Sequence, residues 1–397
     1  MLLIKNAKIL TMAGVNYESG YIFTENGKIT AIGDSGTADF VKNLIMDFNK
    51  VKIIDAKGAF VLPGFIDAHC HVGMWEDSVG IEGADGNEGT DPITPHLRAI
   101  DGVYYSDRSF TEARESGVTT VVTGPGSANV IGGQFAALKT YGRRVEDMII
   151  KEPVAMKVAF GENPKRVYGE KKQMPSTRMA TAALLRENLL KAIEYKEKLD
   201  EYNKDKNNNE KPKLDFKLES LVKVLNGEIP LKAHAHRADD ILTAIRIAKE
   251  FGLRYTLDHC TEGYLIKDIL AEEGVQAIVG PILTDRSKIE LRSMSLKNPG
   301  ILSKAGVKVA IMTDHPVIPV QYLCLCAAIA VKEGMDEEEA LKAITINAAQ
   351  ICEIDHRVGS LEVGKDADMV IFSDHPFELK SKVLTTIING NIVYEAN

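Results

Sequence analysis

The sequence predicts an α/β protein, a (β/α)8 TIM barrel with a small β-sandwich domain formed by both chain termini. Three observations predict it: short alternating apolar runs fill both ends, strand-like and helix-like segments alternate between them, and histidines recur at the strand ends. The alternating middle is the pattern of a sheet wrapped by helices.

Taken in order, residues 1–62 hold the runs LLIKNAKIL, GYIFTENGKITAIG and VKIIDAKGAFVL between Gly and Asn turns, which reads as antiparallel sheet. At the other end, DADMVIFS and VLTTIINGNIVYE flank the hairpin dipeptide Asn389-Gly390. Either piece alone offers too few strands for an independent core. We therefore expect residues 1–62 and 361–397 to share one β domain, with the barrel over 63–360.

The barrel strands are expected at FIDAHCHV, GVTTVVTG, QFAALKTY, AMKVAFGE, PLKAHAH, RYTLDHC, QAIVGPI and KVAIMTD. Several follow a helix ending in Gly, as in EARESGVTTVV, AKEFGLRYTL, AEEGVQAIV and SKAGVKVAI. No GxGxxG follows the first strand, which argues against an open dinucleotide-binding sheet. TRMATAALLRENLLKAIEYKEKLDEYN has helical periodicity and runs into the polar tract KDKNNNEKPK, so residues 203–213 read as an exposed loop.

The 45% hydrophobic and 26% charged content is that of an ordinary globular chain. A net charge of −8 argues against general nucleic-acid affinity, leaving a small molecule as the expected partner. No apolar stretch approaches the roughly 18 residues of a membrane span, and Lys5 and Lys8 interrupt the N-terminal apolar run as no signal peptide would. A cytoplasmic location and a homo-oligomer are the default expectations. The five cysteines make neither a CxxC knuckle nor an even disulfide framework. Cys70 lies between two histidines and on a strand faces away from them.

His69 and His71 are two residues apart on the first barrel strand and so share a face, as do His234 and His236 on the fifth. His259 ends the sixth, and Asp314 and His315 end the eighth. Six of the nine histidines thus lie at strand ends, where barrel enzymes keep catalytic groups. Imidazole is the commonest metal ligand. His96 lies on the long loop after strand one, and His356 and His375 read as surface residues.

Together these residues resemble the amidohydrolase superfamily, whose barrels carry His-x-His on strand one, one His each on strands five and six, and an Asp on strand eight. GSLEVGKDADMVIF is similar to that family's return into its split β domain. LPGFIDAHCH, AHAH and DHCTEG are similar to the imidazolonepropionase and metal-dependent dipeptidase branch. The resemblance implies that His69, His71, His234, His259 and Asp314 hold metal. Two-metal members also need a bridging carboxylate from strand four, either a glutamate or a carboxylated lysine. Lys157 and Glu162 are the candidates; they have opposite parity, and Glu162 is favoured because it lies at the strand's end. Imidazole and carboxylate suit Zn2+, two per chain, with other divalent metals compatible by ligand type.

The activity implied is hydrolysis of a C–N bond in a small amide or cyclic amide, with Asp314 moving the proton from water to the leaving nitrogen. His236, His315 and His96 are candidate substrate contacts, and Arg237, Arg166 and Arg98 candidate anchors for a terminal charge. A metallo-dipeptidase or carboxypeptidase and a nucleobase-type deaminase use related barrels and stand as alternatives, as does a non-catalytic scaffold.

Overall fold

The computed structural model describes residues 1–37, 50–76 and 80–396. The N-terminal runs become β1 (Leu2–Ile9), β2 (Tyr17–Glu25), β3 (Lys28–Asp34), β4 (Lys52–Asp55) and β5 (Phe60–Pro63). The barrel strands follow as β6 (Phe65–Cys70), β7 (Val118–Thr123), β8 (Ile131–Lys139), β9 (Ile149–Ala159), β10 (Leu231–Ala235), β11 (Tyr255–His259), β12 (Gln276–Val279) and β13 (Lys308–Ile311). The chain returns through β14 (Met369–Phe372), β15 (Val383–Ile388) and β16 (Asn391–Glu395).

All eight expected barrel strands form, in the order β6 to β13 around one sheet. Strands β6, β7 and β8 are buried along their whole length, as strands covered on both faces must be. The third strand departs from a regular (β/α)8 pattern: β8 is antiparallel to both β7 and β9. The segments joining it to its neighbours are short, and a parallel connection needs a crossover of a dozen or more residues. Elsewhere helices intervene as expected. The helix Ala238–Glu250 ends at Gly252 (φ 63°), which lets Leu253 N–H reach back to the Ala248 carbonyl at 2.8 Å.

Between the last and first strands the ladder is replaced by individual bonds. Asp314 N–H donates to the His69 carbonyl (3.2 Å), and His71 N–H donates to the His315 carbonyl (2.9 Å). Below them the buried Asp67 carboxylate accepts from the Thr313 hydroxyl and, at 3.3 Å, from its N–H. At the lower end Ile66 N–H donates to the Ile344 carbonyl, and Ala348, Ala349 and Ile351 pack with Ile66, Ala68, Ala310 and Met312.

The termini pair into a second sheet, ordered β16-β15-β14-β5-β1-β2-β3, which branches where β4 and β5 both pair with β1. Its core is Leu2, Ile4, Ile9, Ile22, Val61, Met369, Ile371 and Ile387. Asn389 (φ 49°) and Gly390 (φ 71°) supply the left-handed pair that joins β15 to β16. Asp366 pins this sheet to the barrel: its carboxylate meets Lys28 (2.6 Å), Lys139 on β8 (2.9 Å) and Arg357 (2.8 Å).

The long helix runs from Arg178 to Lys204, capped by the Thr177 hydroxyl, and so takes in the first two residues of the expected loop. The polar tract then continues to Asp215, which caps the next helix. Among the described residues no helix is long and apolar enough to cross a membrane.

Candidate metal centre and active site

Alternation along β6 sends Asp67 and His69, with His71 just beyond, towards the barrel axis, and alternation along β10 does the same for Lys232, His234 and His236. The result is two groups of closely spaced donors. His69, His71 and Asp314 form one, and His234, His236 and His259 the other, each with ligand atoms within 4.8 Å of one another. Lys157 stands beside the first group, its Nζ 3.4 Å from His69 Nε2. A cavity of about 250 Å³ is lined by His69, His71, Lys157, His234, His259 and Asp314. A roomier groove of about 560 Å³, beside the polar tract at Asn209–Lys213, carries no such group.

Two of these residues reach the site only by breaking strand geometry. In a regular strand Asp258 and His259 face opposite ways, yet His259 (φ 69°) and Cys260 (φ 49°) are left-handed. Asp314 is left-handed as well, at φ 56°. Non-glycine residues in that region cost energy and cluster at functional sites.

The hydrogen bonds settle which imidazole nitrogen is free. His71 Nδ1 lies 2.7 Å from the Gly124 carbonyl and His259 Nδ1 3.0 Å from the Gly280 carbonyl. A carbonyl only accepts, so both Nδ1 atoms carry the proton and both Nε2 atoms present a lone pair. His69 Nδ1 stands 2.9 Å from the Asp258 carboxylate, outside hydrogen-bond geometry, and that negative charge favours the proton on Nδ1. His234 is buried with neither ring nitrogen hydrogen-bonded, a costly arrangement unless something else binds there. Neutral imidazoles and unmatched buried donors fit a divalent metal.

Electrostatics agree with that fit. Burial pushes the His259 pKa down to about 3 and holds His234 well below the usual imidazole range, so both stay neutral. Burial opposes ionisation of Asp314, and its Oδ1 stands 3.3 Å from His71 Nε2 and 3.4 Å from His69 Nε2, where a cation shared with their lone pairs would hold the carboxylate ionised. Burial lowers Lys157 to about 8, against the attraction of Asp258. Asp258 itself stays ionised despite its burial, through Lys232 (3.0 Å) and His69.

Glu162 is not brought to either group. Strand β9 ends at Ala159, Gly161 turns the chain at φ 80°, and Glu162 becomes the first residue of the helix Glu162–Glu170. Its N–H donates to Glu290 Oε2 at 3.0 Å. His236 joins the second group, with Nδ1 2.7 Å from the Thr261 hydroxyl and Nε2 3.4 Å from Lys288 Nζ. His315 is buried, and its Nδ1 accepts from Val320 N–H at 3.2 Å, away from the cavity lining. His96 lines a separate cavity of about 480 Å³ together with Arg98, whose guanidinium is paired with Glu152. Arg237 is paired with Asp239, Arg166 is exposed, and neither lines the metal cavity.

Residues absent from the sequence-based candidates also build the site. Asp67, Lys232 and Asp258 form the charged layer beneath it, and the first two were available from the same alternation that marked the histidines. Trp75, Ser127 and Lys288 reach the cavity from loops, where residue type and spacing give no signal, and Asn163 from the first turn of the helix Glu162–Glu170. The Trp75 ring packs edge-on to His71, centroids 4.9 Å apart.

Residues 60–393 match the amidohydrolase family, and the chain belongs to that family. A solved amidohydrolase from Thermotoga maritima MSB8 is 43% identical, superposes with a TM-score of 0.93, and each chain covers 100% of the other. Amidohydrolase tasK of Hapsidospora irregularis is 27% identical over 95% of this chain and 40% of its own length. An imidazolonepropionase of Symbiobacterium thermophilum is 24% identical over 94% of this chain and 91% of its own. Proteins named adenine deaminase are also similar. The chain spans about half the length of the first curated relatives it matches, 40% and 57% for two of them.

Proposed function

We propose that this protein hydrolyses a C–N bond in a small amide or cyclic amide, using divalent metal held by His69, His71, His234, His259, Lys157 and Asp314. The observation that carries the reading is the pair of donor groups sharing one cavity with Lys157. Two zinc-like ions per chain suit two donor groups of this composition. Lys157 takes the bridging role here in preference to Glu162, because it lines the cavity with histidines of both groups, its Nζ 3.4 Å from His69 Nε2, and burial favours the neutral amine that carboxylation by carbon dioxide requires.

Metal bound there supplies polarisation of the scissile carbonyl and acidification of water. The protein's own residues do the rest. Asp314, held as a carboxylate 3.3 Å from His71 and 3.4 Å from His69, accepts the proton of the attacking water and returns it to the leaving nitrogen. Asp258, through His69 Nδ1, and the carbonyls of Gly124 and Gly280 keep three imidazoles in the tautomer a ligand needs. Trp75 and Val317 supply apolar lining beside this centre.

The test is elemental analysis of wild type, Lys157→Ala and Glu162→Ala, alongside hydrolysis of an amide panel. The expected result is about two metal ions per chain, lost with activity in Lys157→Ala and retained in Glu162→Ala. The reverse pattern would return the bridge to Glu162. Ammonia released from nucleobases, with amides left intact, would favour the deaminase reading that the adenine deaminase relatives suggest.

A further inference from the structure

Setting the ligand set aside, the polar lining of the metal cavity is Asn87, Ser127, Asn163 and Lys288. Lys288 is the one charged residue among these, and no carboxylate other than Asp314 lines the cavity among the described residues. Its side chain keeps 26% of its surface exposed, whereas Glu290, the carboxylate paired with it at 2.9 Å, is buried behind it.

Lys288 is also held in place. Besides Glu290 it contacts Asn163 Oδ1 at 3.3 Å and His236 Nε2 at 3.4 Å, so the end of a flexible side chain is fixed beside the second histidine group. The network has a direction. Lys288 donates to Asn163 Oδ1, Asn163 Nδ2 donates to Ser127 Oγ at 2.7 Å, and the Ser127 hydroxyl hydrogen remains to be donated elsewhere. One wall of the cavity therefore offers a hydroxyl donor and an ammonium whose counter-charge, Glu290, does not line the cavity. That is a recognition surface for an anion.

From this wall we infer that the substrate carries a carboxylate a few bonds from its scissile carbonyl, as N-acyl amino acids, dipeptides and cyclic amide acids do, and that Lys288 is its anchor. The inference rests on the C–N hydrolase reading and narrows it, since a neutral nucleobase carries no anionic group to pair with Lys288. Lys288 acts on affinity and selectivity, while the ligands and Asp314 act on the bond.

The experiment uses the zinc-loaded full chain and matched pairs: N-acetyl-L-leucine with N-acetyl-L-leucinamide, N-acetyl-L-methionine with its amide, and Gly-L-Pro with Gly-L-Pro amide. Binding is measured by calorimetry in an Asp314→Asn background, which spares the ligand, with and without Lys288→Gln or Lys288→Arg. At least one acid should bind about 10- to 100-fold more tightly than its amide. Lys288→Gln should erase that preference with zinc content and melting temperature unchanged, and Lys288→Arg should keep most of it. The assignment is overturned if no acid is preferred over its amide, or if the preference survives in Lys288→Gln. Hydrolysis of the same pairs by wild type is followed in parallel. Acids that bind through Lys288 yet release no amine would leave the anchor standing and remove the hydrolase reading.

Discussion

Asp314 and His69 are joined twice. The backbone N–H of Asp314 donates to the His69 carbonyl at 3.2 Å, and the Asp314 carboxylate lies 3.4 Å from His69 Nε2. The same residue pair thus helps close the barrel and build its candidate metal centre.

The two halves of that relationship separate on mutation. Asp314→Asn keeps the backbone bond and most of the donor set, so bound metal should be largely retained while turnover falls by two or more orders of magnitude. His69→Ala should lose metal and turnover together. Elemental analysis beside kcat on one preparation decides it, and near-normal turnover in Asp314→Asn would take that residue out of the mechanism.

Trp75 is the single tryptophan of the chain and packs edge-on to His71. Titrating metal-depleted protein with Co2+ should therefore quench its fluorescence at the stoichiometry of the first site filled. His71→Ala should abolish the quench. An unchanged signal through full occupancy would mean that His71 is not a ligand.

Lys232 is buried beneath the site, where its Nζ donates to Asp258 and to the Ala68 carbonyl, both at 3.0 Å. Replacing it with Met leaves Asp258 short of a counter-charge in a dry layer. Breaking one side of a buried pair typically costs about 3–5 kcal/mol. Denaturant unfolding of Lys232→Met should show a loss of that order, and a change below about 1 kcal/mol would mean that Lys157 and His69 suffice.

Asp366 should make the join between barrel and terminal sheet acid-sensitive. Burial would raise its pKa, but Lys139, Lys28 and Arg357 bring it down to about 2, below the ordinary aspartate value of 3.8. A carboxylate lowered on folding adds stability above its unfolded pKa and loses it as pH falls through the folded one. Wild type should therefore exceed Asp366→Asn by about 2 kcal/mol at neutral pH. Melting curves should converge as pH drops from about 4 to 2, and a gap that persists at pH 2 would point to packing in place of charge.

Much of this was legible in the chain. His69 with His71 and His234 with His236 share faces by the two-residue period alone, and glycines such as Gly252 mark where helices end. His259 and Asp314 were legible as residue types at strand ends, but their left-handed backbone was not, because neither is a glycine. The preference for Glu162 followed from its position at the end of AMKVAFGE; Gly161 turns the chain before Glu162 can face inward and leaves the deeper Lys157 at the centre. Strand direction leaves no trace in periodicity, so the reversal of β8 was invisible. Lys288 and Trp75 arrive from loops, where neither period nor residue type announces a destination.

That reversal has a mechanical consequence. Since β8 runs against β7, the segment between them at the ligand-bearing mouth, which holds Gly126 and Ser127, is a hairpin anchored in two paired strands. The wall it forms is a fixed jaw. Amide exchange should be slowest along Ile131–Ala137 and faster in the loop that carries Lys288.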